Sequence, residues 1–230
     1  MQQSSEVVNA LGLTKPPIAI GFLESQPEGL PLWNGGAVPA GCTFWQKAMS
    51  GERFCTVPSD HYGCAVGSYT HKIALPEVRA HELNDTIGFM VESRYVAMSE
   101  VPGIPTLAQA PNIIAYGPAD QPGFTPNLIL IAAKPSQAML IYEAAIKAGA
   151  SSGLMNLLGR PACAVLPLTM MTHQASISLG CKGNRTFTGL PDEELYLTIP
   201  AERWEPLLES LTETLNANQV LGQHYAGKLV

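Results

Sequence analysis

Hydrophobic positions along the chain fall into short solid runs and longer stripes, which predicts alternating strands and helices. The runs Ile18 to Phe22, Phe54 to Val57, Asn112 to Tyr116 and Leu128 to Ala133 have strand length. Short apolar runs of this kind suit strands buried in a sheet. Ala175 to Leu179 and Leu195 to Ile199 predict two more strands. Stripes at helical spacing fill the gaps. Ser4 and Ser5 are candidate caps for a short helix running through Val7 and Val8 to Gly12, and Thr43 to Met49 predicts another, closed by Gly51. From about Glu77 to Met98, the positions Leu83, Ile87, Met90, Val91 and Met98 form one apolar stripe. This is the longest helix predicted, with that stripe facing a core. Ser136 opens a helix that carries Ala138, Met139, Tyr142, Ala145 and Ile146 to Gly149, and Trp204, Leu207, Leu208, Leu211 and Leu215 mark the last one.

Between these elements, residues 26–41 read as a loop rich in proline and glycine, anchored by Leu30 and Trp33. Residues 162–170 read as short helix or irregular structure, and Gly63 to Gly67 is too glycine-rich to predict a secure helix. A buried strand ending at Ala133, a tight turn and a helix from Ser136 predict a βα unit, hence a partly parallel sheet. No internal repeat is visible. The expected class is α/β or α+β: one domain over residues 1–230, with a mixed, partly parallel sheet flanked by helices.

Composition narrows the function. The 230 residues are 46% apolar and only 14% charged, against roughly 25% charged in ordinary soluble domains. So few charges predict a large core and a homodimer or higher assembly. Thirteen basic against nineteen acidic residues give a net charge of −6, which disfavours nucleic acid as a partner because no counterion-displacing basic face is available. No apolar stretch approaches the ~18 residues of a spanning helix, and the opening MQQSSEVV lacks the regions of a secretory signal. The expectation is a cytoplasmic protein with no membrane partner, whose five cysteines are reduced thiols.

Four of those thiols share a context. Cys42, Cys64 and Cys181 each follow a glycine, and Cys163 sits between alanines after Pro161. Small neighbours free backbone amides to point at sulfur and let a bulky inorganic centre approach the chain. Cys42 and Cys163 fall at predicted helix starts, where thiolate is favoured. Cys55 lies mid-strand and reads as a packed core thiol. With no C-x-x-C pair in the sequence, zinc ribbons and ferredoxin-type runs are not indicated. Small buried hydrophobes are the plain alternative for all of them. His61 precedes Cys64 by three residues and follows Asp60, so imidazole and thiol fit two metal ligands or a base and a nucleophile. Gly180-Cys-Lys-Gly-Asn-Arg185 follows a predicted strand and reads either as an ordinary turn or as one that brings Lys182 and Arg185 to an anion or a thiolate. Ser136, at the turn from strand into helix, is a weaker candidate anion site.

With these residues in view, the chain resembles the domain-of-unknown-function family 169 of bacteria and archaea. Three blocks carry the resemblance: Cys42-Thr-Phe-Trp-Gln-Lys-Ala48 through Gly51 to Asp60-His-Tyr-Gly-Cys64 and Gly67; Pro126 to Leu130 into Lys134-Pro-Ser-Gln-Ala-Met139; and Cys163 through Ser178 to Arg185, Asp192-Glu-Glu-Leu195 and Ile199-Pro200. They span about residues 15 to 210. The resemblance implies no reaction, but it places Cys42, Asp60, His61, Cys64, Cys163, Cys181 and Arg185 inside recognisable blocks. The stretch Ser68-Tyr-Thr-His-Lys72 departs from the pattern, so no role passes to His71.

Three functions follow as expectations. The leading one is a metalloprotein in which Cys42, Cys64, Cys163 and Cys181 hold a 4Fe–4S cluster, with zinc the less favoured metal. Asp60 and His61 would be catalytic, and Lys182, Arg185 and Ser136 would bind a small anionic molecule in lyase- or redox-type chemistry. The second is a metal-free thiol enzyme that pairs His61 with Cys64 or Cys181. The third is a non-catalytic module binding a small anion.

Overall fold

The computed structural model describes residues 5, 9–153 and 156–228. Its strands are β1 (Ile18–Leu23), β2 (Phe54–Thr56), β3 (Ile113–Pro118), β4 (Leu128–Ala133), β5 (Asn156–Leu158), β6 (Ser176–Ser178) and β7 (Leu195–Pro200). They form one mixed sheet in the order β2-β3-β1-β4-β7-β6-β5. The helices are α1 (Thr43–Met49), α2 (Ala65–Thr70), α3 (Glu77–Glu92), α4 (Pro135–Lys147), α5 (Val165–Thr172), α6 (Lys182–Thr188) and α7 (Trp204–Ala226). The class is therefore the expected α/β one, a mixed sheet flanked by helices. Residues 9–11 are helical up to Gly12, while Ser4, Val7 and Val8 lie outside the described residues.

The sheet alternation sorts residues onto two cores. On one face Ile18, Ile20, Tyr116, Leu128, Leu130 and Tyr196 pack against Phe44, Trp45, Ala48 and Met49 of α1 and Val165 and Leu166 of α5. On the other, Ala19, Ile129, Ile131, Leu197 and Ile199 pack against Ala138, Ile141, Ala144 and Ala145 of α4 and Leu207, Leu208 and Leu211 of α7. Loop 26–41 is anchored as expected: Leu30 is buried against Cys55 and Ala115, and Trp33 meets the rings of Phe44 and Phe54.

Several expectations change. β4 is followed by α4 as predicted, but both neighbours of β4 are antiparallel, and the one parallel pair is β5 with β6. The crossover through α4 passes over β7 and β6 to reach β5, an edge strand too short and too exposed to leave a hydrophobic signal. Helix α3 stops at Glu92, and none of its 16 residues is buried, so its apolar stripe does not face a core. The longest helix is α7, with 23 residues. Two stretches read as loop or turn are helical, α2 and α6; each is short and preceded by a cysteine. Among the described residues no helix is long and apolar enough to cross a membrane.

Candidate functional site

Local structure puts each of the four cysteines at the start of a helical segment. Cys42, Cys64 and Cys181 are the residues immediately before α1, α2 and α6. Cys163 lies in the tight turn Ala162–Ala164 that runs into α5. The burial of Phe44 and Trp45 fixes α1 against the sheet, and the burial of Val165 and Leu166 fixes α5.

All four side chains line one cavity of about 840 Å³, although the chain places them up to 139 residues apart (181 − 42). Every pairing among them is close enough for one thiolate to raise the pKa of another. Burial dominates those shifts. The Cys42 thiol is pushed up to about 12, first by desolvation and then by Cys64 and Cys181. Desolvation likewise raises Cys64 and drives Cys163 well above its ordinary value. As bare thiols Cys42, Cys64 and Cys163 are protonated at neutral pH, because burial disfavours their charged form and neighbouring thiolates add repulsion. Among the described residues, no group of three or more His, Cys, Asp or Glu is arranged to hold a single metal ion.

Hydrogen-bond donors aim at the sulfurs. Backbone amides of Gly41 and Gly67 reach Cys64 and lower its pKa against the effect of burial. The Asn184 amide donates to Cys181 Sγ at 3.4 Å, and the Thr70 hydroxyl lies 3.4 Å from Cys163 Sγ. The Asn184 side chain is close enough to lower the pKa of Cys42 and of the Tyr196 hydroxyl. Neither approach reaches hydrogen-bond geometry, so both side-chain amide atoms of this buried residue stand unpaired. Two of the three preceding glycines are required by the backbone: a Cβ on Gly63 would stand 2.4 Å from the Val38 carbonyl oxygen, and Gly180 has φ of +77°.

Cys55 is separated from this group by strand alternation. Phe54 packs on the α1 face of the sheet, whereas Cys55 points to the opposite face among Leu30, Ile113 and Ala115. Its burial pushes its pKa up to about 11.

His61 and Asp60 sit behind the cysteines and do not line the cavity. The Cys64 amide donates to the His61 carbonyl at 2.9 Å, the turn that the three-residue spacing predicts, but the imidazole points inward. Its Nε2 is 2.8 Å from Thr56 Oγ1, and its ring packs on Phe44. Desolvation, with His71 nearby, lowers its pKa to about 3. Asp60 Oδ2 accepts from the Val57 amide at 2.9 Å, closing the tight turn Pro58–His61. Nothing in the order of residues singles out His71. It is 4% exposed, its ring centroid is 6.2 Å from that of His61, and its pKa is lowered by burial to about 4. Its Nδ1–H donates to the Gly67 carbonyl at 2.7 Å, which leaves Nε2 a bare lone pair without a partner.

The three expected anion-binding residues go to different places. Lys182 lines the cavity. Arg185 does not: its guanidinium donates to the carbonyls of Pro191 and Leu179 at 2.6 Å each, Glu194 at 3.0 Å and Leu190 at 3.4 Å. It ties the loop after α6 together. Ser136 is exposed in the first turn of α4, on the other side of the sheet from the cysteines. The apolar stripe of α3 forms a cavity wall, through Leu83, Ile87 and Met90.

Comparison with known proteins agrees with the resemblance read from the sequence. The chain is 24% identical over 223 residues to an uncharacterized protein of Methanocaldococcus jannaschii, covering 91% of this chain and 92% of the relative. No solved structure matches it. The family profile of DUF169, described as an uncharacterised ArCR family, matches residues 6–210. That span takes in all four cavity cysteines, and the chain belongs to the DUF169 family.

Proposed function

We propose that this protein is a metalloprotein in which Cys42, Cys64, Cys163 and Cys181 hold a 4Fe–4S cluster beside a small-molecule cavity. One observation carries the reading: four thiols from four separate loops line the same cavity and influence one another in every pairing. Buried thiols without a metal are desolvated and mutually repelling once ionised. A cationic, thiophilic centre removes both costs, because each bound thiolate then faces positive charge.

The donor set suits iron–sulfur chemistry. It is all sulfur, and donors reach three of the four sulfurs, from Gly41 and Gly67 to Cys64, Asn184 to Cys181 and Thr70 to Cys163. Such hydrogen bonds tune the reduction potential of clusters. A single zinc ion draws four sulfurs to about 2.3 Å from one atom, and among the described residues no three His, Cys, Asp or Glu are drawn together for a single ion; a cubane spreads its ligands over a wider rim. When bound, such a centre supplies electron transfer or Lewis-acid chemistry. The chain supplies a site beside it where Lys182 meets an anionic group, consistent with redox or lyase-type chemistry on a small molecule, or with sensing it.

The test is anaerobic purification followed by iron and acid-labile sulfide analysis, absorption spectra and electron paramagnetic resonance before and after reduction. The expected result is iron and sulfide in equal amounts, close to four of each per chain. Iron-free protein that cannot be reconstituted anaerobically, or stoichiometric zinc, overturns the reading.

A further inference from the structure

We infer that the cavity beside the cysteines binds an amphiphile, a largely apolar body carrying a single anionic group, with the anion held by Lys182 and Asn184. This deepens the proposed function by naming a ligand class, though it rests on the cavity walls rather than on the metal.

The walls decide the body. Leu83, Ile87 and Met90 of α3 present their apolar stripe to the cavity, and Leu158 and Phe187 line it as well. No residue of α3 is fully buried, and Leu83, Ile87 and Met90 are only half-covered, so the hydrophobic side of this helix stays partly open to the cavity. A small polar metabolite would leave those surfaces uncovered, while an apolar body removes them from water. The whole cavity, about 840 Å³, lies within the range of roughly 300–1,000 Å³ of small-molecule pockets, and a cluster on the four cysteines would take part of that space and leave the part along α3.

The charges decide the head. Four charged side chains line the cavity: Glu82, Glu100, Arg160 and Lys182. Arg160 is paired with Glu100 at 2.7 Å, and Glu82 is paired with Arg79 at 2.5 Å. Lys182 is the one without an ion pair among the described residues. Arg185, the other cation of the same sequence block, is committed to backbone carbonyls. Asn184, 2% exposed and a residue of the same cavity lining, has a covered side-chain amide close to Cys42 and Tyr196 with neither its donor nor its acceptor in a hydrogen bond. A buried amide with nothing to bond costs free energy unless a ligand meets it. A monoanionic head such as a carboxylate fits one ammonium and one amide donor, and it comes to rest beside Cys181 with the apolar body along α3.

Three probes test this on the intact protein: decanoate, decan-1-ol and succinate, followed by calorimetry and thermal shift, with iron and sulfide measured in the same samples. Decanoate binds and raises the melting temperature. Decan-1-ol binds about tenfold more weakly, and succinate does not bind detectably. Lys182→Met brings decanoate down to the level of decan-1-ol and leaves the alcohol unchanged. Ile87→Trp, which fills the cavity from an incompletely buried position, abolishes both; if that variant is unstable, Met90→Trp takes its place. Succinate binding as tightly as decanoate, or decanoate binding untouched by the cavity-filling variants, overturns the inference. Iron-free protein that binds decanoate through Lys182 removes the proposed centre and leaves the ligand class standing. Cluster-loaded protein indifferent to decanoate does the reverse.

Discussion

A Cβ placed on Gly67 would stand 2.8 Å from the sulfur of Cys64. The sulfur lies over the first turn of α2, receives the Gly67 amide, and leaves no room for a side chain there. Gly67→Ala must therefore displace Cys64 or shift α2. We predict that it removes most of the bound iron while costing about 1–3 kcal/mol of stability, the usual penalty for overpacking. Gly88→Ala is the control. A Cβ there meets nothing within 4 Å, and the exchange leaves iron content unchanged and stabilises α3 by roughly 0.5–1 kcal/mol.

Cysteine-to-serine exchanges separate the five thiols. Serine at 42, 64, 163 or 181 is predicted to lower iron and sulfide content sharply in anaerobic preparations. Cys55→Ser leaves both at the wild-type level but lowers the melting temperature, because a hydroxyl is then buried at a fully covered position at a cost of about 1–3 kcal/mol. Loss of iron in the Cys55 variant, with its fold intact, contradicts the placement of that residue on the opposite face of the sheet.

Metal uptake should release protons. Cys42 is raised to about 12, and Cys64 and Cys163 are raised too, so ligation must deprotonate thiols that are neutral at pH 7. Iron–sulfur reconstitution is expected to weaken as pH falls from 8 to 6. In metal-free protein at pH 7, iodoacetamide is expected to label Cys42 and Cys163 slowly, with labelling of Cys42 accelerating as pH climbs toward 12. Rapid labelling of either at neutral pH would contradict the burial that sets these values.

The histidine pair gives a second pH dependence, on stability. His61 and His71 are lowered by burial from the ordinary 6.5 to about 3 and about 4. Between those values and 6.5 the unfolded chain binds more protons than the folded one, so stability rises with pH across that window and is lost on acidification. At about 1.4 kcal/mol per unit, each histidine accounts for a loss of several kcal/mol by pH 4. Melting temperatures of metal-free protein from pH 7 to pH 4 are expected to drop steeply, and His71→Phe to flatten the slope.

Arg185 is predicted to act in folding rather than in ligand recognition. Arg185→Ala removes the donors to four carbonyls and lowers stability by at least about 2 kcal/mol. Arg185→Lys does not restore it, since an ammonium lacks the planar fork that spans those acceptors. Decanoate affinity, corrected for folded fraction, is expected to stay unchanged.

Some of this was legible in the residues themselves. The runs at Ile18 and Leu128 predicted strands because residues buried in a sheet read as apolar runs, Phe54 to Val57 did so by alternation, and Cys55 could be set apart because it lies mid-strand. The stripe Leu83, Ile87, Met90 correctly predicted a helix but misled about its surroundings. Periodicity reports that one side avoids water, and a cavity wall meets that condition as well as a core does. Asp60-His61 drew attention through proximity to Cys64 in sequence, yet the imidazole turns inward to Thr56. Arg185 looked like an anion receptor because the destination of a guanidinium cannot be read from its neighbours in the chain.

The sequence by itself determined most of the element types, the family and the four glycine- or alanine-flanked cysteines, since these depend on local spacing and residue chemistry. Only the tertiary structure decided that thiols up to 139 residues apart (181 − 42) line one cavity, that His71 is buried with a bare nitrogen, and that Lys182 rather than Arg185 faces the open space. Those relations are set by which strands pair and which helix faces pack, and pairing between distant segments leaves no periodic trace in the order of residues.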